Sequence, residues 1–328
     1  QEPLEVHPGQ DFSLTALEGT VYDKFYDPQG ILVDPTVDKK RLAARISGQT
    51  GHHTFFVLVE QEEMKWWQPV NVNIKQEMMP AVLPFTHVKA DSCEPIDITS
   101  AFNASVTDIY RNEYLSPRSP YTTLQLPKQG IGEWCHPTLT ADIDDSGMRA
   151  LVRDGLLSTN LGVSFRTPEK GNNIAFTSLW DNYPDSLSIP LTGRASRAYL
   201  LMAGSTNHMQ CHIVNGVVRV HYADGTAETL ELVNPENWCP IEQDFYVDGM
   251  AFRLQSPRPY RLHLKSGLVS NNLEKDLNIT GVYGRPIDGG AGILLDMPLN
   301  PDKDLKRITL ETVSNDVVIG LMGITLQK

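Results

Sequence analysis

The chain has 328 residues, of which 41% are hydrophobic and 21% charged, enough apolar content for a sizeable core in two domains or one large β domain. A formal charge of −12 and a pI near 5.2 argue against nucleic acid and anionic membrane as partners, because phosphate groups are gripped by a basic field. No apolar run reaches the roughly 18 residues of a membrane span. The chain opens in the polar segment QEPLEVHPGQ, as a trimmed mature protein or a piece of a longer chain would.

Period-two alternation recurs along the sequence. Phe12, Leu14 and Ala16 alternate with polar neighbours, and so do Val70, Val72 and Ile74. Between them TFFVLVE (54–60) is a continuous apolar and β-branched stretch that predicts a core strand. Further strands are predicted in RAYLLMAG (197–204), CHIVNGVVRVHYADGTAETLELV (211–233), RPYRLHLKSG (258–267), RITLETVS (307–314) and DVVIGLMGITLQ (316–327). Within 211–233, Asn215-Gly216 and Asp224-Gly225 each predict a tight turn, giving a three-stranded meander, because both dipeptides readily take the positive φ of primed turns. Helical signals are confined to DITSAFNAS (97–105) and DSGMRALVRDGL (145–156). The expected fold is all-β: two packed antiparallel β-sandwich, jelly-roll-like domains, over residues 1–130 and 138–328, with the boundary in the loop-rich stretch 127–145.

Two loop clusters hold the residue types that grip sugars. The first, YLSPRSPYTTLQLPKQGIGEWCHP (114–137), carries Tyr114, Arg118, Tyr121, Gln129, Trp134 and His136 among four prolines that fix the backbone locally. The second lies in NIAFTSLWDNYPDSLSIP (173–190), where Trp180, Asp181, Asn182 and Tyr183 precede Pro184 and can converge only on a loop. Aromatic faces stack on the C–H patches of a saccharide, and planar amide, carboxylate and guanidinium groups satisfy its hydroxyls. A Trp closing a sandwich core is the competing reading at both places.

Metal and catalytic signals are sparse. ADIDDSG (141–147) places Asp142, Asp144, Ser146 and Gly147 as in the start of a calcium loop, but Arg153 stands where a bidentate Glu is required. That excludes an EF-hand and leaves a looser structural Ca2+ site on Asp142 and Asp144. Otherwise no cofactor is expected. Glu133, Asp181, Asp185 and Asp248 could supply the two carboxylates of a glycoside hydrolase or lyase, although nothing in the sequence pairs them, and no G-x-S-x-G elbow is present. The four cysteines match neither a compact zinc site nor a dense disulfide scaffold; free thiols and a single disulfide both remain open.

The phrases YLSPRSPYTTLQLPKQGIGEWCHP, FTSLWDNYPDSLSIPL, RAYLLMAGSTNHMQ, NGVVRVHYADGT and LVNPENWCPIEQDF resemble the C-terminal β-sandwich part of an uncharacterised family of large bacterial proteins that are labelled glycoside hydrolases and resemble polysaccharide-utilisation proteins of gut bacteria. The likeness spans roughly 110–328. It implies secretion to the periplasm or cell surface and a part in glycan breakdown, with oligo- or polysaccharide as partner. The helical catalytic barrel of such multi-domain enzymes has no counterpart in these few helical segments. The expected function is therefore that of a carbohydrate-binding accessory protein, with a hydrolase cleft or a module buttressing a separate catalytic domain as alternatives.

Overall fold

The computed structural model describes residues 3–47, 51–74, 85–86, 88–112, 142–180, 182–206, 210–245, 254, 257–280, 286–315 and 317–328. The chain divides into two compact units, Gln1–Ala81 and Val82–Lys328, and the described residues are almost entirely β.

The first unit is built from β1 (Leu4–Val6), β2 (Asp11–Thr15), β3 (Val21–Tyr26), β4 (Leu32–Val37), β5 (Arg41–Ile46), β6 (Gly51–Gln61) and β7 (Met64–Ile74). They form a four-stranded sheet in the order β1-β7-β6-β3 and a three-stranded sheet in the order β2-β5-β4. Every pair is antiparallel except β1 with β7. Alternation explains the packing: Phe55 and Val57 of β6 and Val72 and Ile74 of β7 are buried with Phe12, Leu42 and Ile46 of the facing sheet, while the intervening residues turn outward. Phe12 meets Phe55 edge to face, centroids 5.8 Å apart. Glu62 and Glu63 close the β6–β7 hairpin, with Glu62 at φ 53° in the left-handed region that primed two-residue loops use.

The second unit contains β8 (Cys93–Ile96), α1 (Ser146–Leu151), β9 (Leu156–Ser158), β10 (Ser164–Arg166), β11 (Ala175–Ser178), β12 (Ser186–Pro190), β13 (Arg197–Thr206), β14 (Val214–Tyr222), β15 (Ala227–Val233), β16 (Tyr260–His263), β17 (Val269–Ser270), α2 (Leu273–Asp276), β18 (Ala291–Pro298), β19 (Leu305–Thr312) and β20 (Val317–Gln327). A seven-stranded sheet runs β11-β20-β13-β18-β16-β17, with β8 also paired to β20, and a four-stranded sheet runs β12-β19-β14-β15. All eleven residues of β20 are buried, because the large sheet is covered on both faces. Val317, Ile319, Leu321, Ile324 and Leu326 join Leu200 and Met202 in one core, shared with Val218, Val220, Ile308 and Leu310 of the smaller sheet. Val318 and Met322 join Tyr199 and Leu201 in the other, under Met148 of α1 and Leu157 and Phe165 of the β9–β10 hairpin. This double coverage accounts for the near-continuous apolar run of β20.

Two expectations change. The domain boundary lies between residues 81 and 82 rather than in 127–145, since Cys93–Ile96 hydrogen-bonds along Gln327–Ile324 and so belongs to the second unit. Asp224-Gly225 is the predicted hairpin, but Asn215-Gly216 lies inside β14 at a bulge. Asn215 is buried: its Nδ2 donates to the carbonyls of Gln210 and Ile213, and its Oδ1 accepts from Thr206 Oγ1. A Cβ at position 216 would come within 2.1 Å of Ile319 Cδ1 and 2.8 Å of the Glu311 carbonyl. Close packing, and not a positive φ, is what demands glycine there.

Candidate functional site

Of the residues expected to contact a ligand, Tyr114, Arg118, Tyr121, Gln129, Trp134, His136 and Asp181 lie outside the described residues. Trp180 is described, and it is 3% exposed. Its indole belongs to the core beside Ile174 and Phe176, with Tyr183 packed against it. The loop that carries it is closed by Ser178 N donating to the Pro184 carbonyl at 2.9 Å, and Tyr183 meets Phe176 at a 45° tilt with centroids 5.1 Å apart. Asn112 Nδ2 donates to Tyr183 Oη at 2.7 Å. A stacking platform at Trp180 is thus replaced by a core anchor; Asn182 is exposed and Tyr183 half-buried.

The two candidate calcium ligands each meet a protein partner. Asp142 faces Arg111 at 3.5 Å. Asp144 Oδ1 accepts from Ser146 N at 2.9 Å, and hydrogen bonds from the Ser146 hydroxyl first and this N–H second hold its carboxyl below the usual range. No group of three or more acidic, His or Cys side chains suited to a metal occurs among the described residues. Cys93, Cys211 and Cys239 are free. Of the carboxylates considered for hydrolysis, Glu133, Asp181 and Asp248 lie outside the described residues, and Asp185 is exposed.

The exposed aromatic surface lies instead on the first unit. Register fixes which side chains share the outer face of its four-stranded sheet: Thr54 with Asn71, then Tyr26, Phe56 and Pro69, then Lys24, Leu58 and Trp67, then Glu60 and Lys65. Tyr26 and Trp67 are 58% and 45% exposed, an unusual outlay of aromatic area on a solvated sheet. Tyr26 and Phe56 stack with centroids 6.2 Å apart and planes 27° from parallel. Trp67, two strands away from Tyr26, leans across so that the centroids stand 6.5 Å apart at 67°. The three rings form one continuous surface.

Polar groups border it at both ends. Thr54 Oγ1 donates to Asn71 Oδ1 at 2.8 Å and Gln29 Oε1 accepts from Thr54 N at 3.1 Å, which among the described residues leaves the amide nitrogens of both Asn71 and Gln29 available. At the other end Lys65 Nζ lies 3.0 Å from Glu60 and 3.8 Å from Asp23, the bulged residue of β3, and the Glu60 contact raises its pKa. On the opposite side of β7, Trp66 lines a cleft of about 380 Å³ of mixed character, with Leu4, Leu17, Tyr22 and Val59 beside Thr20 and Gln68. Its Nε1 donates to Gln68 Oε1 at 3.4 Å.

Sequence reasoning passed over Tyr26, Phe56, Trp66 and Trp67. The signal was present in the alternation of VNVNI, which extends backward through Pro69 to place Trp67 on the polar face.

No family model matches the chain, and no curated protein matches it. Among solved structures, a SusE-like protein aligns at 10% identity over 98% of this chain and 94% of that one, with a TM-score of 0.21. A calcium-binding mutant of Bacteroides uniformis beta-glucuronidase 2 aligns at 8% identity over 99% of this chain and 29% of that one, with a TM-score of 0.19. A Bacteroides ovatus glycan-binding protein of a mixed-linkage glucan utilisation locus, solved with a mixed-linkage heptasaccharide, aligns at 9% identity over 94% and 72% of the chains, with a TM-score of 0.14. At these TM-scores the function rests on the geometry of the site itself.

Proposed function

We propose that this chain is a carbohydrate-binding accessory protein of bacterial polysaccharide degradation, acting in the periplasm or at the cell surface, and that the outer face of β3, β6 and β7 takes the glycan. The observation that carries this reading is the cluster Tyr26, Phe56 and Trp67, solvent-facing on a rigid sheet and bordered by unspent amide donors on Asn71 and Gln29. Ring faces cover the C–H patches of a pyranose while the amides satisfy its hydroxyls, a division of labour that suits a sugar better than a wholly apolar or wholly ionic ligand. A sheet costs little to order on binding, because the strands are already fixed. No helix among the described residues is long and apolar enough to cross a membrane.

The proline-fixed loop with Tyr114, Arg118, Tyr121, Gln129, Trp134 and His136 stays in this proposal as a second contact region. The deciding experiment is affinity electrophoresis of the full chain through gels containing plant and host polysaccharides. Retardation by at least one polymer, relieved in Trp67→Ala and Tyr26→Ala, is the expected result. Retardation unchanged in both variants but relieved in Trp134→Ala would move the site to that loop. No retardation in any gel rejects the carbohydrate role.

A further inference from the structure

The geometry points to a single extended, uncharged glycan chain as the ligand of the outer face, rather than the flat surface of a crystalline polysaccharide or an acidic glycan; this rests on the carbohydrate reading above. Surfaces of crystalline polymers are planar, and a protein matches them with coplanar rings. Here only two rings approach coplanarity, Tyr26 and Phe56 at 27°. Trp67 stands at 67° to Tyr26, so the three rings share no common plane. A planar crystal face cannot lie flat on all three at once. One sugar chain, by contrast, can rest against rings inclined to one another, burying two faces of its pyranose rings. Offset-parallel and edge-on aromatic arrangements at these spacings are stable in themselves, so this arrangement exists before the ligand arrives.

Charge gives acidic sugars no net attraction. The ionic side chains that the register places nearest the rings are Lys24, Lys65, Glu60 and Asp23, which sum to zero. Lys65 is already engaged by Glu60 and Asp23. No guanidinium lies on these rows to form the two-pronged contact that a uronate carboxylate or a sulfate would favour. The remaining polar groups, the Asn71 and Gln29 amides, are neutral and recognise hydroxyls. Asn71 lies one row from the Tyr26–Phe56 pair and Gln29 is bonded to Thr54 of that row, so a chain running along the strands meets rings first and amides next.

The test uses the full chain. Calorimetry is run with xylohexaose, cellohexaose, mannohexaose and tetragalacturonate, alongside retention on microcrystalline cellulose and α-chitin powders, for the unaltered protein and Trp67→Ala. Met64→Ala, an exposed change at the turn end of the same β6–β7 hairpin, serves as the control for surface truncation. The inference predicts that at least one neutral hexasaccharide binds, that tetragalacturonate binds at least tenfold more weakly, and that Trp67→Ala weakens the neutral ligand at least tenfold while Met64→Ala does not. Retention on the powders without binding to soluble oligosaccharides would overturn the single-chain inference and leave the carbohydrate role standing. Preference for tetragalacturonate would do the same. Absence of binding in every arm would overturn both.

Discussion

Trp66 and Trp67 are neighbours in the chain and lie on opposite faces of β7: Trp66 pairs with Val59 on the inner side, and Trp67 pairs with Leu58 on the outer side. The two-residue period of a strand therefore gives identical side chains separate tasks. Trp67→Ala should weaken glycan affinity at least tenfold, about 1.4 kcal/mol, with a small effect on the melting temperature. Trp66→Ala should do the reverse, lowering stability by roughly 1–3 kcal/mol through lost packing in the cleft and leaving affinity within about twofold. Calorimetric titration and thermal melts of the two variants check this crossed pattern. Equal effects of both changes on affinity would mean that the ligand enters the cleft.

Trp180 offers a second separation of packing from binding. Because its indole is sealed in the core with Ile174 and Phe176, Trp180→Ala should cost about 3–5 kcal/mol of stability. Glycan affinity of the protein that remains folded should be unchanged, since the outer face belongs to another unit. Urea unfolding paired with a binding titration below the transition reads both quantities. A loss of affinity without a loss of stability would return Trp180 to the ligand.

How much of this was legible depended on whether local pattern and tertiary demand agreed. The strands 54–60, 197–204, 307–314 and 316–327 were plain because burial follows the period of two or covers both faces. The sequence WDNYPD reads as a displayed loop, yet a Trp in a short turn can fold inward when its neighbours Ile174 and Phe176 supply a core, and no local signal distinguishes the two outcomes. Asn215-Gly216 misled for a related reason: the dipeptide suits a turn, but Ile319 from a distant strand sets the need for glycine. The boundary was misplaced because β8 pairs with the last strand, more than two hundred residues later, and only the three-dimensional register reveals it.

Arg261 is 1% exposed and donates to the carbonyls of Gly292, Gln243, Pro240 and Ala291 and to Cys239 Sγ, with its guanidinium 5.6 Å from the centre of the Phe245 ring. A planar fork spends all its donors on one junction of loops and strands. An ammonium has three donors and a different shape, so Arg261→Lys leaves several buried carbonyls unpaired. The substitution should destabilise the second unit by on the order of 3–5 kcal/mol, nearly as much as Arg261→Met. Denaturant melts of the two variants test this; a Lys variant of ordinary stability would show that water replaces the missing donors.

Glu242 makes stability depend on pH. Its side chain is buried, Oε2 accepts from Tyr110 Oη, and Oε1 has no partner among the described residues. Loss of water around the charged form pushes its pKa from 4.5 up to about 7, against the opposing pull of the Tyr110 hydrogen bond and the Arg261 charge. The folded protein therefore keeps the proton over a range in which the unfolded chain has released it. Stability contributed by this group is complete below the unfolded value and declines as pH rises through the folded one. The window runs from about pH 4.5 to 7, and the total change is on the order of 3 kcal/mol. Glu242→Gln supplies a neutral side chain of the same shape and should flatten this part of the profile. Its gain over the unaltered protein should be largest above pH 7. Urea unfolding at closely spaced pH values measures both slopes; a profile that stays parallel to the unaltered protein across the window would show that Glu242 is already ionised in the folded state.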